Sequence, residues 1–330
     1  MIRSRRNRGW LRAAGRVGLV LGLAACLAVG GSAAVLAAAS PPRGQMVTIA
    51  DGRRLRLVCD GPAASPRPTV WFESGAWGAA ADWASIQAGL AQAGVRSCAY
   101  DRAGLGYSDP GPAPRDAKAI AGDLDRLMTA AGEAGPLVLV AHSAGGLYLR
   151  TFSGLRSQAV RGVVLVDAMT PEAVRQRAAA GFVSRFERSA RWLALAASLG
   201  LTKPLALTPM ADRIGLPDYA VREKRHALAS GRHNRAAADE VRAWPAAIEE
   251  AAATPAFPRE WPVAVVTAKR PAGPSPFQAF MAARAAPARL SARGRLDEVD
   301  GAGHRTLLGE TYGDHVVDAV LFVMGEERSD

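Results

Sequence analysis

One stretch constrains this chain more than any other: Val138-Leu139-Val140-Ala141-His142-Ser143-Ala144-Gly145-Gly146. An apolar, β-branched run passes straight into a serine flanked by very small residues, and a helix-forming segment follows. A strand, a sharp turn and a helix in that order form a nucleophile elbow, which lifts one hydroxyl above the edge of a sheet. The turn is strained, and the positions two before and two after the nucleophile must clear neighbouring backbone. Here they are Ala141 and Gly145. Ser143 is then the candidate nucleophile. The N–H of Ala144, at the helix start, is a candidate donor to an oxyanion. The competing interpretation is an ordinary serine capping a helix.

The remainder of the chain suits such a turn. Short apolar strand candidates occur at 46–50, 53–59, 69–73, 95–100, 136–141, 161–167, 262–268 and 295–299, with Asp51-Gly52 as a hairpin signal between the first two. Helical stretches lie at about 82–93, 116–131, 144–156, 276–286 and 306–324. The alternation predicts an α/β fold. Several strands are continuous apolar runs, as parallel strands covered on both faces require. From about Thr170 to Pro258 the alternation stops. That segment is rich in Ala, Arg and Leu and predicts a helical insertion over the sheet edge where ligands bind in open α/β folds. The expected organisation is therefore 1–44 as an N-terminal segment and linker, 45–169 as the first half of the core, 170–258 as a helical cap, and 259–330 as the second half.

The net charge is +11, but Arg3, Arg5, Arg6, Arg8, Arg12 and Arg16 supply six of those charges. A local excess of this kind argues against a nucleic-acid protein, which needs a basic face. The arginines precede an uncharged run of 23 residues, 17–39, long enough to span a ~30 Å hydrocarbon core. The positive-inside rule keeps them cytoplasmic and carries the body across the membrane. The expected location is the bacterial inner membrane, held by a single N-terminal anchor. Two processed forms compete: cleavage after Ala39, which would release the body as a secreted or periplasmic protein, and a lipobox-like Leu23-Ala24-Ala25-Cys26 with Cys26 lipidated. Pro41-Pro42 ends any helix, so the folded body is expected to start near Gln45. Three cysteines without a CxxC pair exclude a disulfide scaffold and give no zinc pattern.

A second motif runs Tyr100-Asp101-Arg102-Ala103-Gly104-Leu105-Gly106-Tyr107-Ser108-Asp109. Gly-Leu-Gly lacks the third glycine of a dinucleotide site. With Glu73-Ser74-Gly75, Asp82-Trp83, the His142 to Gly146 elbow, Leu165-Val166-Asp167-Ala168 and Gly301-Ala302-Gly303-His304, it makes the chain resemble the α/β-hydrolase superfamily, and bacterial members above all. The resemblance covers about Gln45 to Val323. It implies an eight-stranded, mostly parallel sheet with helices on both faces, a cap after the sixth strand, and a Ser-acid-His triad.

In Val299-Asp300-Gly301-Ala302-Gly303-His304, a strand ends in a glycine-rich turn that can swing an imidazole toward the nucleophile. His304 is the candidate base. His142 abuts Ser143 but is expected to point away. His226 and His233 lie in the basic insertion and are expected to be solvated, and His315 is expected to be structural. Relatives carry the acid after the sixth or the seventh strand. The second place is vacant, because no Asp or Glu occurs between Trp261 and Leu296. Asp167 is the candidate acid, with a helix-capping role as its competitor, and Asp300 is the runner-up. The resemblance assigns the second oxyanion donor to the N–H of Ala76, although Glu73-Ser74 stands where relatives carry an apolar residue and His. Trp77 and Trp83 are candidates for lining an acyl pocket, with core packing as the alternative. Arg102 and Asp109 are expected to brace the loop below the nucleophile. Cys59 and Cys98 fall on strands that are adjacent in this fold, so an exported body could join them as a disulfide.

The features predict a serine hydrolase working without metal or organic cofactor and meeting the membrane through its N-terminal segment, and the resemblance implies small ester-like substrates. Acyl transfer, lyase chemistry and a catalytically silent binding protein remain alternatives on the same fold. Haloalkane dehalogenation needs a carboxylate where Ser143 stands.

Overall fold

The computed structural model describes residues 2–37, 42–176, 181–270 and 275–326. The expected cleavage position at Ala39, and Ser40 and Pro41 of the linker, lie outside them. A long helix α1 (Ile2–Ala37) comes first. Its part from Val17 to Ala37 is long and apolar enough to cross a membrane. The sheet begins at Gln45 and has eight strands: β1 (Gln45–Thr48), β2 (Arg54–Asp60), β3 (Thr69–Glu73), β4 (Ser97–Tyr100), β5 (Leu137–His142), β6 (Val160–Val166), β7 (Val263–Ala268) and β8 (Gly294–Val299). Their spatial order is β1-β2-β4-β3-β5-β6-β7-β8. The pairs β1–β2 and β2–β4 are antiparallel and all others parallel. Gly52 closes the first hairpin at φ 84°, with its N–H on the Ile49 carbonyl.

Strand alternation divides the core into two layers. Val70, Phe72, Val138, Val140, Val164 and Val166 face one way, against Ile86 and Leu90 of α2 (Ala84–Gln92) and the apolar stripe of the last helix. Trp71, Leu137, Leu139, Val163 and Leu165 face the other way, against Leu124 and Leu127 of α3 (Ala117–Ala130) and Leu149 and Phe152 of α4 (Gly145–Leu155). Asp116 caps α3 by accepting the Ala119 N–H at 2.9 Å.

Between β6 and β7 the described residues are helical and contain no strand. The helices are α5 (Pro171–Val174), α6 (Phe182–Ser198), α7 (Lys203–Ala206), α8 (Asp218–Ala229), α9 (Gly231–Arg242) and α10 (Trp244–Ala253). They form a third cluster over α4, in which Ala190, Ala194, Val241 and Trp244 meet Leu147 and Tyr148. Buried ion pairs also tie them to the sheet: Glu223 with Arg56, and Glu240 with Arg102. After β7, α11 (Ser275–Leu290) and α12 (Gly313–Met324) complete the two faces. Cys59 and Cys98 are register partners on β2 and β4, and their sulfurs are bonded.

Candidate active site

Three side chains converge at the C-terminal ends of the parallel strands. Ser143 follows β5 directly at φ 53°, a conformation L residues avoid, and its N–H is held by the Val166 carbonyl at 3.2 Å. The turn is tight on every side. A Cβ on Gly145 would lie 2.4 Å from the Glu73 carbonyl, and one on Gly146 would lie 2.3 Å from that of Met169. Asp167 follows β6 and is also left-handed, at φ 44°. His304 lies beyond β8. Its Nε2 is 3.0 Å from Ser143 Oγ and its Nδ1 is 2.6 Å from Asp167 Oδ2. One ring thus bridges the hydroxyl and the carboxylate, which is the geometry general-base activation of a serine requires.

Asp167 is buried and multiply held. Thr267 of β7 donates its hydroxyl to Oδ1 at 2.6 Å, and the Arg284 guanidinium of α11 forms an ion pair with the same oxygen at 2.7 Å. Burial alone would raise this carboxyl. The His304 hydrogen bond, the Arg284 and His304 charges and the Thr267 hydroxyl outweigh it and hold the acid well below the usual carboxylate range. Thr267 and Arg284 were not expected as site residues. The signal available for Arg284 was the acid-free stretch around it, which obliges a buried cation to find its partner elsewhere. Asp300, the runner-up acid, is exposed and pairs with Lys269.

His142 packs against His304 and its partners do not include the Ser143 hydroxyl. Its ring lies 4.6 Å from that of His304, and its Nε2 donates to the His304 carbonyl at 2.8 Å. Burial, then the neighbouring His304, pushes its pKa down to about 3, so the ring is neutral and supports the turn carrying His304. The expectation for the insertion histidines fails. His233 is buried and accepts the Gly106 N–H at 2.9 Å, and His226 stacks on Tyr107 at 4.3 Å. His315 lies in α12 and binds Asp297 at 2.8 Å.

The loop after β3 explains the unusual Glu73-Ser74. Arg102 Nη1 donates to Glu73 Oε1 and to the Ser74 carbonyl, both at 2.7 Å, and Nη2 donates to the Gly75 carbonyl at 2.9 Å. Tyr100 donates its hydroxyl to Glu73 Oε2 at 2.6 Å. Lys224 of α8 reaches the Trp77 carbonyl at 3.1 Å. With the Gly75 carbonyl turned to Arg102, peptide planarity directs the Ala76 N–H to the opposite side. Among the described residues, neither the Ala76 N–H nor the Ala144 N–H donates to another protein group. Asp109, the other expected brace, pairs with Arg54.

Trp77 is half-buried. Its Nε1 donates to Asn234 at 3.0 Å, and its ring meets Phe186 of α6 edge-on at 5.6 Å. Of the two roles open to Trp83, pocket lining and core packing, the structure shows the second. The residue is fully buried, stacks on Phe72 at 4.4 Å and donates to Ser74 Oγ at 2.9 Å, which makes it core.

Residues 68–213 match the family model for the alpha/beta hydrolase fold. An uncharacterized protein of Schizosaccharomyces pombe is 35% identical over 92 residues, which are 28% of this chain and only 17% of that protein. Among solved structures, the enol-lactonase from Burkholderia xenovorans LB400 superposes with TM-score 0.58 at 19% identity, covering 86% of this chain and 100% of its own. The epoxide hydrolase CorEH superposes with TM-score 0.63 at 17% identity, covering 85% and 98%. The strand order, the turn after β5 and these superpositions agree: the chain has the α/β-hydrolase fold, and the family of that fold is matched over residues 68–213.

Proposed function

We propose that this chain is a serine hydrolase of carboxylic esters, carried on its N-terminal helix with the body outside the cytoplasm. The observation that carries the reading is the hydrogen-bonded row Ser143–His304–Asp167. Ser143 Oγ attacks the ester carbonyl while His304 Nε2 takes its proton, and Asp167 holds the ring and stabilises the imidazolium. The N–H groups of Ala76 and Ala144 receive the oxyanion. The alcohol leaves with the proton from His304. Water then attacks the acyl-enzyme, giving its proton to His304, and the carboxylic acid departs as Ser143 regains a proton. A serine activated by a histidine forms an acyl-enzyme with a carboxylic ester or a lactone, which supports ester chemistry here. The Cys59–Cys98 disulfide favours an oxidising compartment.

Intact-mass analysis of the full chain after treatment with a fluorophosphonate ester tests both parts. One adduct on the wild type and none on Ser143→Ala is expected, on a chain that retains its first 39 residues. A folded wild type without adduct would return the silent binding protein. A mass lacking those residues would return a cleaved signal.

A further inference from the structure

The apolar surface of the cap is concentrated where α6 ends. Trp192 and Leu195 on α6, Leu199 and Leu201 around Gly200, and Leu205 and Leu207 at α7 are exposed, Trp192 by 71% and Leu199 by 65%. Six large apolar side chains open to solvent within sixteen residues are costly for a soluble surface. Gly200, at φ 77°, turns the chain there and sits against α1: a Cβ on it would lie 3.0 Å from Val29 Cγ1. α7 also packs on α1. Along α1, Val29, Ser32, Ala33 and Leu36 are wholly or partly covered, at the spacing of one helical stripe, whereas Val17, Leu19, Leu23 and Leu27 are exposed.

This contact sets a depth. If Val17–Ala37 crosses the membrane, Val29 lies about 12 Å below the Ala37 end, at 1.5 Å per residue. A leaflet's hydrocarbon is roughly 15 Å thick, half of the usual core. The cap segment against Val29 is thus placed inside the leaflet by the helix, and its exposed side chains are leucines. Trp192 and the exposed Arg185, Arg188 and Arg191 lie on the same helix, and these residue types suit the headgroup layer and its anionic lipids.

The geometry points to a lipid seat for the cap: Leu199, Leu201, Leu205 and Leu207 enter the leaflet beside α1, with Trp192 at headgroup level. The inference rests on the reading of α1 as a retained spanning helix. It goes beyond tethering, because the orientation of the body on the bilayer becomes fixed.

The test uses the full chain with Cys26→Ser, spin-labelled singly at Leu201→Cys or Leu205→Cys, in nanodiscs of phosphatidylethanolamine and phosphatidylglycerol. Labels at Leu23→Cys and Ser157→Cys serve as lipid and water references. Collisions with oxygen exceeding those with a water-soluble nickel complex at 201 and 205, several-fold above the ratio at 157, are expected. Labels at 201 and 205 that behave like 157, while 23 is in lipid, overturn the seat and leave the anchor standing. A label at 23 in water overturns both. Labels at 201 and 205 closed to both reagents and broadened by each other show a second copy covering the leucines, which also overturns the lipid seat.

Discussion

Arg102 grips Glu240 through two hydrogen bonds, Nε to Oε1 at 2.8 Å and Nη2 to Oε2 at 2.7 Å, with both side chains buried. The same guanidinium holds the Ser74 and Gly75 carbonyls, so a cap helix and the loop beside the nucleophile share one cation. Removing Glu240 leaves Arg102 paired with Glu73 but takes the acceptors from its Nε and from one bond of Nη2, deep in the protein. Glu240→Ala should lower stability by about 1–3 kcal/mol, read by denaturant unfolding. It should also reduce kcat, because the freed guanidinium no longer fixes the Ala76 peptide. Glu240→Gln should keep more of both.

Gly75 of that loop lies against Ser143. A Cβ there would lie 2.8 Å from Ser143 Cβ and 3.0 Å from His142 Nδ1. Gly75→Ala should lower kcat by about a hundredfold, the cost of a small misplacement of reacting groups. The thermal midpoint should move far less than in Glu240→Ala.

Arg284 supplies a fixed positive charge behind Asp167. Its loss makes a proton easier to place on the Asp167–His304 pair. Arg284→Met should therefore move the acid limb of kcat/KM to higher pH, and Arg284→Lys should restore much of it. An unmoved limb in Arg284→Met would confine the residue to packing.

Stability should fall with acid in two windows. His142 is held down to about 3 by burial and then by His304, and His233 well below its ordinary value by burial and then by Lys224 and Arg102. Unfolded, each takes a proton near pH 6.5, so each favours the unfolded chain as pH drops below that value, by about 1.4 kcal/mol per pH unit. Asp167 adds to this below the ordinary carboxylate pKa, because its folded carboxyl stays ionised where the unfolded one is protonated. Unfolding free energies measured between pH 7.5 and 5 should show the first slope, and His142→Asn should remove its share and leave that of His233.

The Cys59–Cys98 bond closes a loop with a sequence separation of 39. Chain-entropy arguments give it about 4 kcal/mol. Denaturation with and without reductant should show a difference of that order, which Cys59→Ser with Cys98→Ser should abolish.

The elbow at Ser143 was legible because its determinants are local: an apolar strand, then small residues at the positions that touch other backbone. The strands were legible for the same reason. Partners contributed across the sheet were not. Thr267 reaches Asp167 from a neighbouring strand and Arg284 from a helix after it, and no spacing encodes either contact. Asp167 itself emerged only by elimination. His233 was misread because its helix is basic, yet His233, Ala237 and Val241 form a buried stripe at helical spacing. Trp83 stands in a similar stripe with Ile86 and Leu90, which marks it as core.

Ser143, Asp167 and His304 are carried by strands β5, β6 and β8, and the last arrives 161 positions after the first. β8 is an edge strand that joins the sheet only through β7. A chain folding from its N-terminus as it emerges would hold the Ser143 hydroxyl long before the His304 imidazole could approach it. On the proposed serine-hydrolase mechanism the order of synthesis would act as a safety interlock: Ser143 would be armed last, after the sheet has closed around it and the cap has been laid over it.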